Sequence, residues 1–170
     1  NRRRRFAARS ALETQLKFTD FQACLRRDLL ASEQRLADPP QIEDPGQLPA
    51  LILAYVGDAV FSLHLRTVML SVELNKVQVL HTLLARMASA PLQAQALHSL
   101  EEALTETEQA VVRRGRNAKS RVPRNASIAE YRSSTALEAL LGYLYLGRQQ
   151  VRLEQILRQV VTFMCRNLAS

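Results

Sequence analysis

Two carboxylates in this chain lie among residues that make a carboxylate costly. Asp58 is the one acid in the run Leu51-Ile52-Leu53-Ala54-Tyr55-Val56-Gly57-Asp58-Ala59-Val60-Phe61, and Glu138 is the one acid in Thr135-Ala136-Leu137-Glu138-Ala139-Leu140-Leu141-Gly142. An ionised carboxylate among apolar side chains is unfavourable unless it is paired or binds a cation. If the two segments pack together, their oxygens offer a hard site for Mg²⁺, which takes one or two carboxylates together with waters and phosphate oxygens. Two readings without a metal stand beside this one. Asp58 could pair with a buried arginine such as Arg66 or Arg132, and Glu138 could be the third residue of a capping box opened by Thr135. The residues by themselves leave the choice open.

A second cluster is basic. Arg113, Arg114, Arg116, Lys119, Arg121, Arg124 and Arg132 fall in one segment whose single acid is Glu130, with Asn117, Ser120 and Asn125 interleaved. Arg and Asn suit phosphate and sugar contacts, and Pro123 restricts the segment. A run of charge is commonly a solvated face, yet this one holds a Gly115-Arg116-Asn117 turn and leads into the Glu138 segment. Tyr131 is its one aromatic residue, which disfavours stacking on single-stranded bases and favours reading a duplex backbone.

The elements that must position these residues read as helices. Phe18, Phe21, Leu25, Leu29 and Leu30 recur at spacings of three and four, predicting a helix over roughly 19–36. Pro39, Pro40, Pro45, Gly46 and Pro49 form a linker no helix crosses. Residues 1–46 are thus a basic extension and Pro-rich linker, and residues 47–166 the main domain. Within it, helices are expected at about 48–72, at 76–90 with a break at Pro91, and from Thr105 to near Gly115. Thr105 and Glu108 match a capping box. A loop follows over 116–132, then helices over 134–146 and onward along Leu153, Ile156, Leu157, Val160 and Met164. No strand alternation or internal repeat is present, and the fold class is all-α.

Composition narrows the function. Of 170 residues 47% are hydrophobic, enough for one core, and the net charge of +7 with a pI near 10.1 suits a polyanionic partner. Cys24 and Cys165 form no CxxC pair, which disfavours a thiolate zinc site or a disulfide scaffold. His64, His81 and His98 are too far apart for a local metal motif, and neither a GxGxxG nor a Walker loop nor a GxSxG elbow occurs. The 48–65 stretch is apolar but carries Asp58, which costs roughly 2.5–3.5 kcal/mol at a bilayer centre. A core helix is expected there, with no membrane partner. No secretory signal is visible, and Asn1 is not an initiator methionine.

The run from Leu53 to Phe61 resembles the signature of ribonuclease III catalytic domains in their Mini-ribonuclease III version. Val112-Arg113-Arg114-Gly115-Arg116-Asn117-Ala118-Lys119-Ser120 is similar to a stretch peculiar to Mini-ribonuclease III. So are Pro123-Arg124-Asn125-Ala126, Tyr131-Arg132 and the run from Ser134 to Leu146, while Leu80-His81, Ser89-Ala90 and Gln93-Ala94 also fall in place. The resemblance spans roughly 47–160. It implies the ribonuclease III helical fold, acting as a homodimer that cuts double-stranded RNA with Mg²⁺. Asp58 and Glu138 are then the catalytic and metal-binding acids, and Arg113, Arg114, Arg116, Asn117, Lys119, Ser120, Arg124, Asn125 and Arg132 the RNA contacts. It also implies maturation of the 23S ribosomal RNA precursor in the cytoplasm, or in an organelle if the Arg-rich leader is a transit-peptide remnant. The rival from another class is a catalytically inactive RNA-binding scaffold of the same fold.

Departures from the larger relatives bear on the metal. Those carry a glutamate four residues before the aspartate and an aspartate three before the glutamate. Ala54 and Thr135 stand there in this chain, as in Mini-ribonuclease III. Fewer acids imply a looser metal site. Pro91, Ser133 and Ser62 replace a lysine, a tyrosine and a glutamate, which touches substrate contacts more than chemistry. No double-stranded RNA-binding domain is expected, so the basic segment must do more of the gripping.

Overall fold

A computed structural model describes residues 18–31, 41–118 and 127–168. Every regular element among them is helical: α1 (Phe18–Leu30), α2 (Ala50–Met69), α3 (Val77–Met87), α4 (Ala90–Leu100), α5 (Glu106–Asn117), α6 (Ile128–Leu146) and α7 (Gln150–Asn167). The chain divides into a unit over 1–41 and a unit over 42–170. In the first, α1 carries Asp20 in its opening turn and Arg27 in its last, charges that oppose the helix dipole. The remaining helices belong to the second.

Local chemistry fixes the helix ends. Thr105 caps α5 as the sequence predicts: its Oγ1 accepts from the Glu108 N–H at 3.3 Å, and Glu108 Oε2 accepts from the Thr105 N–H at 2.8 Å. Pro91 lies in the first turn of α4, where a missing N–H costs nothing, so the expected 76–90 helix ends at Met87 and a new one begins. Three expectations need correction. Helix α6 starts at Ile128 rather than Ser134, because Ser127 Oγ accepts from the Glu130 N–H at 3.2 Å. Tyr131 and Arg132 are therefore helical, not loop. Thr135 opens no capping box; it lies inside α6 with its hydroxyl donating to the Tyr131 carbonyl at 3.0 Å. Likewise Gly115-Arg116-Asn117 is the end of α5, not a turn.

Glu108 also reaches across the fold. Arg152 on α7 donates from Nε to Oε1 at 2.8 Å and from Nη2 to Oε2 at 2.9 Å, while Nη2 also meets the Ala103 carbonyl at 2.8 Å. The Arg152 hydrogen bond holds the buried Glu108 carboxyl below its usual range. One glutamate thus caps α5 and binds α7.

Helix α6 runs through the centre, with Ala136, Leu137, Ala139, Leu140, Leu141 and Leu144 fully buried. Around it lie Phe61 and Leu65 from α2, Leu97 from α4, and Ile156, Val160 and Met164 from α7. A helix that is apolar on all sides is stable only when surrounded. Each such large side chain contributes about 1.5–3 kcal/mol by leaving water. Helix α2 is also long and apolar enough to cross a membrane by length and composition. Its inner stripe of Leu53, Gly57, Phe61 and Leu65 instead packs against α6 as core.

These two helices touch backbone to backbone. A Cβ on Gly57 would lie 1.7 Å from the Glu138 carbonyl oxygen, and one on Gly142 would lie 1.9 Å from the Leu53 carbonyl oxygen. Only hydrogen fits at either position. Alanine would gain about 1 kcal/mol of helix propensity, but it must push two backbones apart, which costs about 3 kcal/mol or more. Gly57→Ala and Gly142→Ala should each lower stability in chemical denaturation; a neutral or stabilising result would contradict this crossing.

Candidate active site

The crossing decides where the two acids go. Asp58 follows Gly57 on α2, and Glu138 is the residue whose carbonyl faces Gly57 from α6. Residues eighty positions apart in sequence are thereby neighbours. Glu138 is half-buried and Asp58 exposed. This corrects the expectation of two acids inside an apolar interior: Asp58 lies on the outer side of α2, beyond the stripe that packs on α6. Burial raises the Glu138 pKa, the adjacent Asp58 charge raises it further, and a hydrogen bond from Gln93 opposes both. The result is a value of about 7.

Neither non-metal reading survives. Arg66 donates to Ser62 on its own helix, Arg132 is exposed on α6, and among the described residues neither Asp58 nor Glu138 forms an ion pair. Thr135 does not cap a helix toward Glu138. No group of three or more His, Cys, Asp or Glu side chains clusters for a metal among the described residues. Two unpaired, mutually repelling carboxylates open to solvent on one side nevertheless fit a hard dication that keeps several waters. Zinc suits them less well, since its sites draw on three or four protein ligands, most of them histidine or cysteine.

Sequence reasoning missed Gln93. It is 3% exposed on α4, in line with the buried Ala96, Leu97 and Leu100. Its Nε2 donates to the Ala88 carbonyl at 3.0 Å, and its amide also reaches Glu138. Its Oε1 is buried with no hydrogen-bond partner among the described residues. A polar side chain in the apolar stripe of a helix was the available signal.

The basic residues divide. Arg113 and Asn117 are exposed on α5, and so is Arg132 on α6. Arg114 is exposed but donates to the Leu48 carbonyl at 3.3 Å. Arg116 is half-buried and ion-paired with Glu101. Lys119, Ser120, Arg124 and Asn125 lie outside the described residues. Beside Asp58, the outer side of α2 shows Leu51 (40% exposed), Tyr55 (80%) and Leu63 (67%) at helical spacing.

Raising a carboxyl pKa on folding has a definite sign. Between 4.5, the ordinary value, and about 7 the folded chain holds a proton that the unfolded chain has lost. Stability therefore falls as pH rises through that window and levels off above it. Glu138→Gln should be more stable than the native chain near pH 8, by on the order of 1–3 kcal/mol, and indistinguishable from it near pH 4. Thermal melts at the two pH values test this. No gain at the higher pH would show that Glu138 ionises without penalty.

Comparison with known proteins follows the same lines. Residues 51–149 match the ribonuclease III domain. A Mini-ribonuclease 3 of Symbiobacterium thermophilum is 46% identical over 72% of this chain and 95% of its own length. One from Enterococcus faecalis is 40% identical over 68% of this chain and 90% of its own. Among solved structures, protein FN1578 of Fusobacterium nucleatum superposes with a TM-score of 0.63 at 28% identity, covering 68% of this chain and 93% of that one.

Proposed function

Since this chain belongs to the ribonuclease III family, in its Mini-ribonuclease III branch, and is an endoribonuclease, we propose that Asp58 and Glu138 hold Mg²⁺ for the hydrolysis of double-stranded RNA. The observation that carries this is the pairing of two carboxylates at the α2–α6 crossing, with no cationic side chain among the described residues paired to either. Such a pair costs stability when empty and is favourable once a dication sits between it and a phosphate. Bound there, Mg²⁺ supplies a water of lowered pKa and neutralises charge on the phosphodiester. Asp58, open to solvent, lies on the side from which a substrate would arrive. Glu138, anchored in the core helix, gives the site a fixed backbone reference.

The grip on RNA is assigned to side chains that carry positive charge or amides toward solvent. Arg113, Asn117 and Arg132 have that freedom in the described structure, and Arg114 and Arg116 must exchange a protein partner for a phosphate. Lys119, Ser120, Arg124 and Asn125 complete the proposed set. These contacts would position the duplex rather than read its sequence. The domain assigned to cleavage is 47–166, with 1–46 as its basic extension.

The outer apolar stripe of α2 supports a homodimer. Leu51, Tyr55 and Leu63 beside Asp58 are more apolar surface than a site-bearing helix leaves to water without use, and a two-fold pairing of α2 would cover it. The proposed substrate is the 23S ribosomal RNA precursor, cut in the cytoplasm.

Mutations separate the parts. Asp58→Asn or Glu138→Gln should lower Mg²⁺-dependent cleavage of a duplex by about 10²-fold or more, while leaving duplex binding without metal intact. Comparable cleavage by either variant would overturn the assignment, and duplex binding without cleavage by the native chain would favour the scaffold reading. Arg113→Ala should weaken duplex affinity and reduce its salt slope by about 1, read from binding isotherms at several salt concentrations. Leu63→Glu should yield monomers in analytical ultracentrifugation; an unchanged dimer would place the interface elsewhere.

A further inference from the structure

The side chain of Gln93 is spent on one end and idle on the other. Its Nε2 carries two N–H donors. One meets the Ala88 carbonyl at 3.0 Å, just before α4 begins, and fixes the amide plane. The Gln93 amide lowers the Glu138 pKa as a hydrogen-bond donor does, so its second N–H is the one on the Glu138 side. That orientation turns Oε1 away from Ala88, and Oε1 is the one buried side-chain polar atom without a partner among the described residues. Buried acceptors are almost always satisfied, by protein or by ordered water. Here the neighbouring polar side chain is Glu138, and a carboxylate cannot donate a hydrogen once ionised.

We propose that Gln93 is a positioning residue of the cleavage site: its N–H pins the Glu138 carboxylate, and its Oε1 accepts a hydrogen from a water ligand of the cation held by Asp58 and Glu138. The role rests on the metal reading of that pair. It explains why an amide occupies a position whose neighbours along α4, Ala96, Leu97 and Leu100, are all apolar core. A carboxylate at Gln93 would repel Glu138, and an apolar residue would neither orient it nor hold the water. The amide is the side chain of this length that donates and accepts at once. Outer partners of this kind orient metal ligands and carry a large part of the affinity.

The test uses the full-length chain labelled with ¹⁵N and titrated with MgCl₂. The backbone amides of Asp58 and Glu138 report uptake of the ion. The Gln93 side-chain amide, identified by its loss in Gln93→Met, should shift along the same curve. Gln93→Met, which keeps the length of the side chain, should bind Mg²⁺ about tenfold more weakly or worse. It should need correspondingly more Mg²⁺ for cleavage, with the KM for duplex unchanged at saturating metal and the melting temperature close to native. Uptake of Mg²⁺ with a motionless Gln93 resonance, or native Mg²⁺ affinity in Gln93→Met, would overturn the role of Gln93 and leave the metal pair standing. Absence of Mg²⁺ uptake by the native chain would overturn both. If Gln93→Met does not fold, the native resonance decides.

Discussion

Everything about this site follows from two backbones touching. Where α2 crosses α6, Gly57 and Gly142 each present only a hydrogen to a carbonyl of the other helix, at separations no Cβ could enter. Glycine inside a helix costs about 1 kcal/mol relative to alanine, and two are kept at the point where both helices are otherwise well packed. The geometry returns a fixed relation between the residue after one glycine and the residue four before the other. Asp58 and Glu138 inherit that relation. Because backbone rather than side-chain contacts set it, the separation of the acids does not depend on rotamers in the core.

The electrostatics follow from the same contact. Bringing two carboxylates together while covering one of them raises the Glu138 pKa, and among the described residues no arginine pairs with either acid to relieve it. The contrast with Glu108 is instructive. That glutamate is also buried, yet it receives the Arg152 guanidinium and the Thr105 backbone N–H, and its pKa moves down. The same residue type serves as a staple where its charge is matched and as a candidate metal ligand where it is not. The Gln93 amide stands between the two situations, donating to Glu138 without neutralising it.

Much of this was legible in the chain. The apolar runs around Asp58 and Glu138 identified the two helices that matter, and Thr105 with Glu108 announced the start of α5. The lone acid in each run marked the two carboxylates that the crossing brings together. What stayed hidden was relational. A run that is apolar on every side does not say which side meets its own core, so the exposure of Asp58 and of Tyr55 could not be read. The start of α6 was displaced because its first turns, Glu130 to Ser134, are polar enough to pass for loop. Ser127 and Glu130 held the correct answer in their spacing. The Arg152–Glu108 bond joins residues far apart with no pattern linking them, and Gln93 gains its meaning only from Glu138 across the helix packing.

The Glu108 staple has a dynamic consequence. Its carboxylate accepts from the Thr105 N–H at the start of α5 and from Arg152 on α7 together, so unwinding α5 at that end also disturbs its tie to α7. The shared carboxylate couples the opening of one helix to the other. Helix α5 is in turn pressed onto α6 at Gly115, where a Cβ would come within 2.6 Å of Ala136. That close packing holds the arginines of α5 in register with the acid of α6 in the folded chain. Loosening either helix therefore disturbs the basic face and the acid pair together.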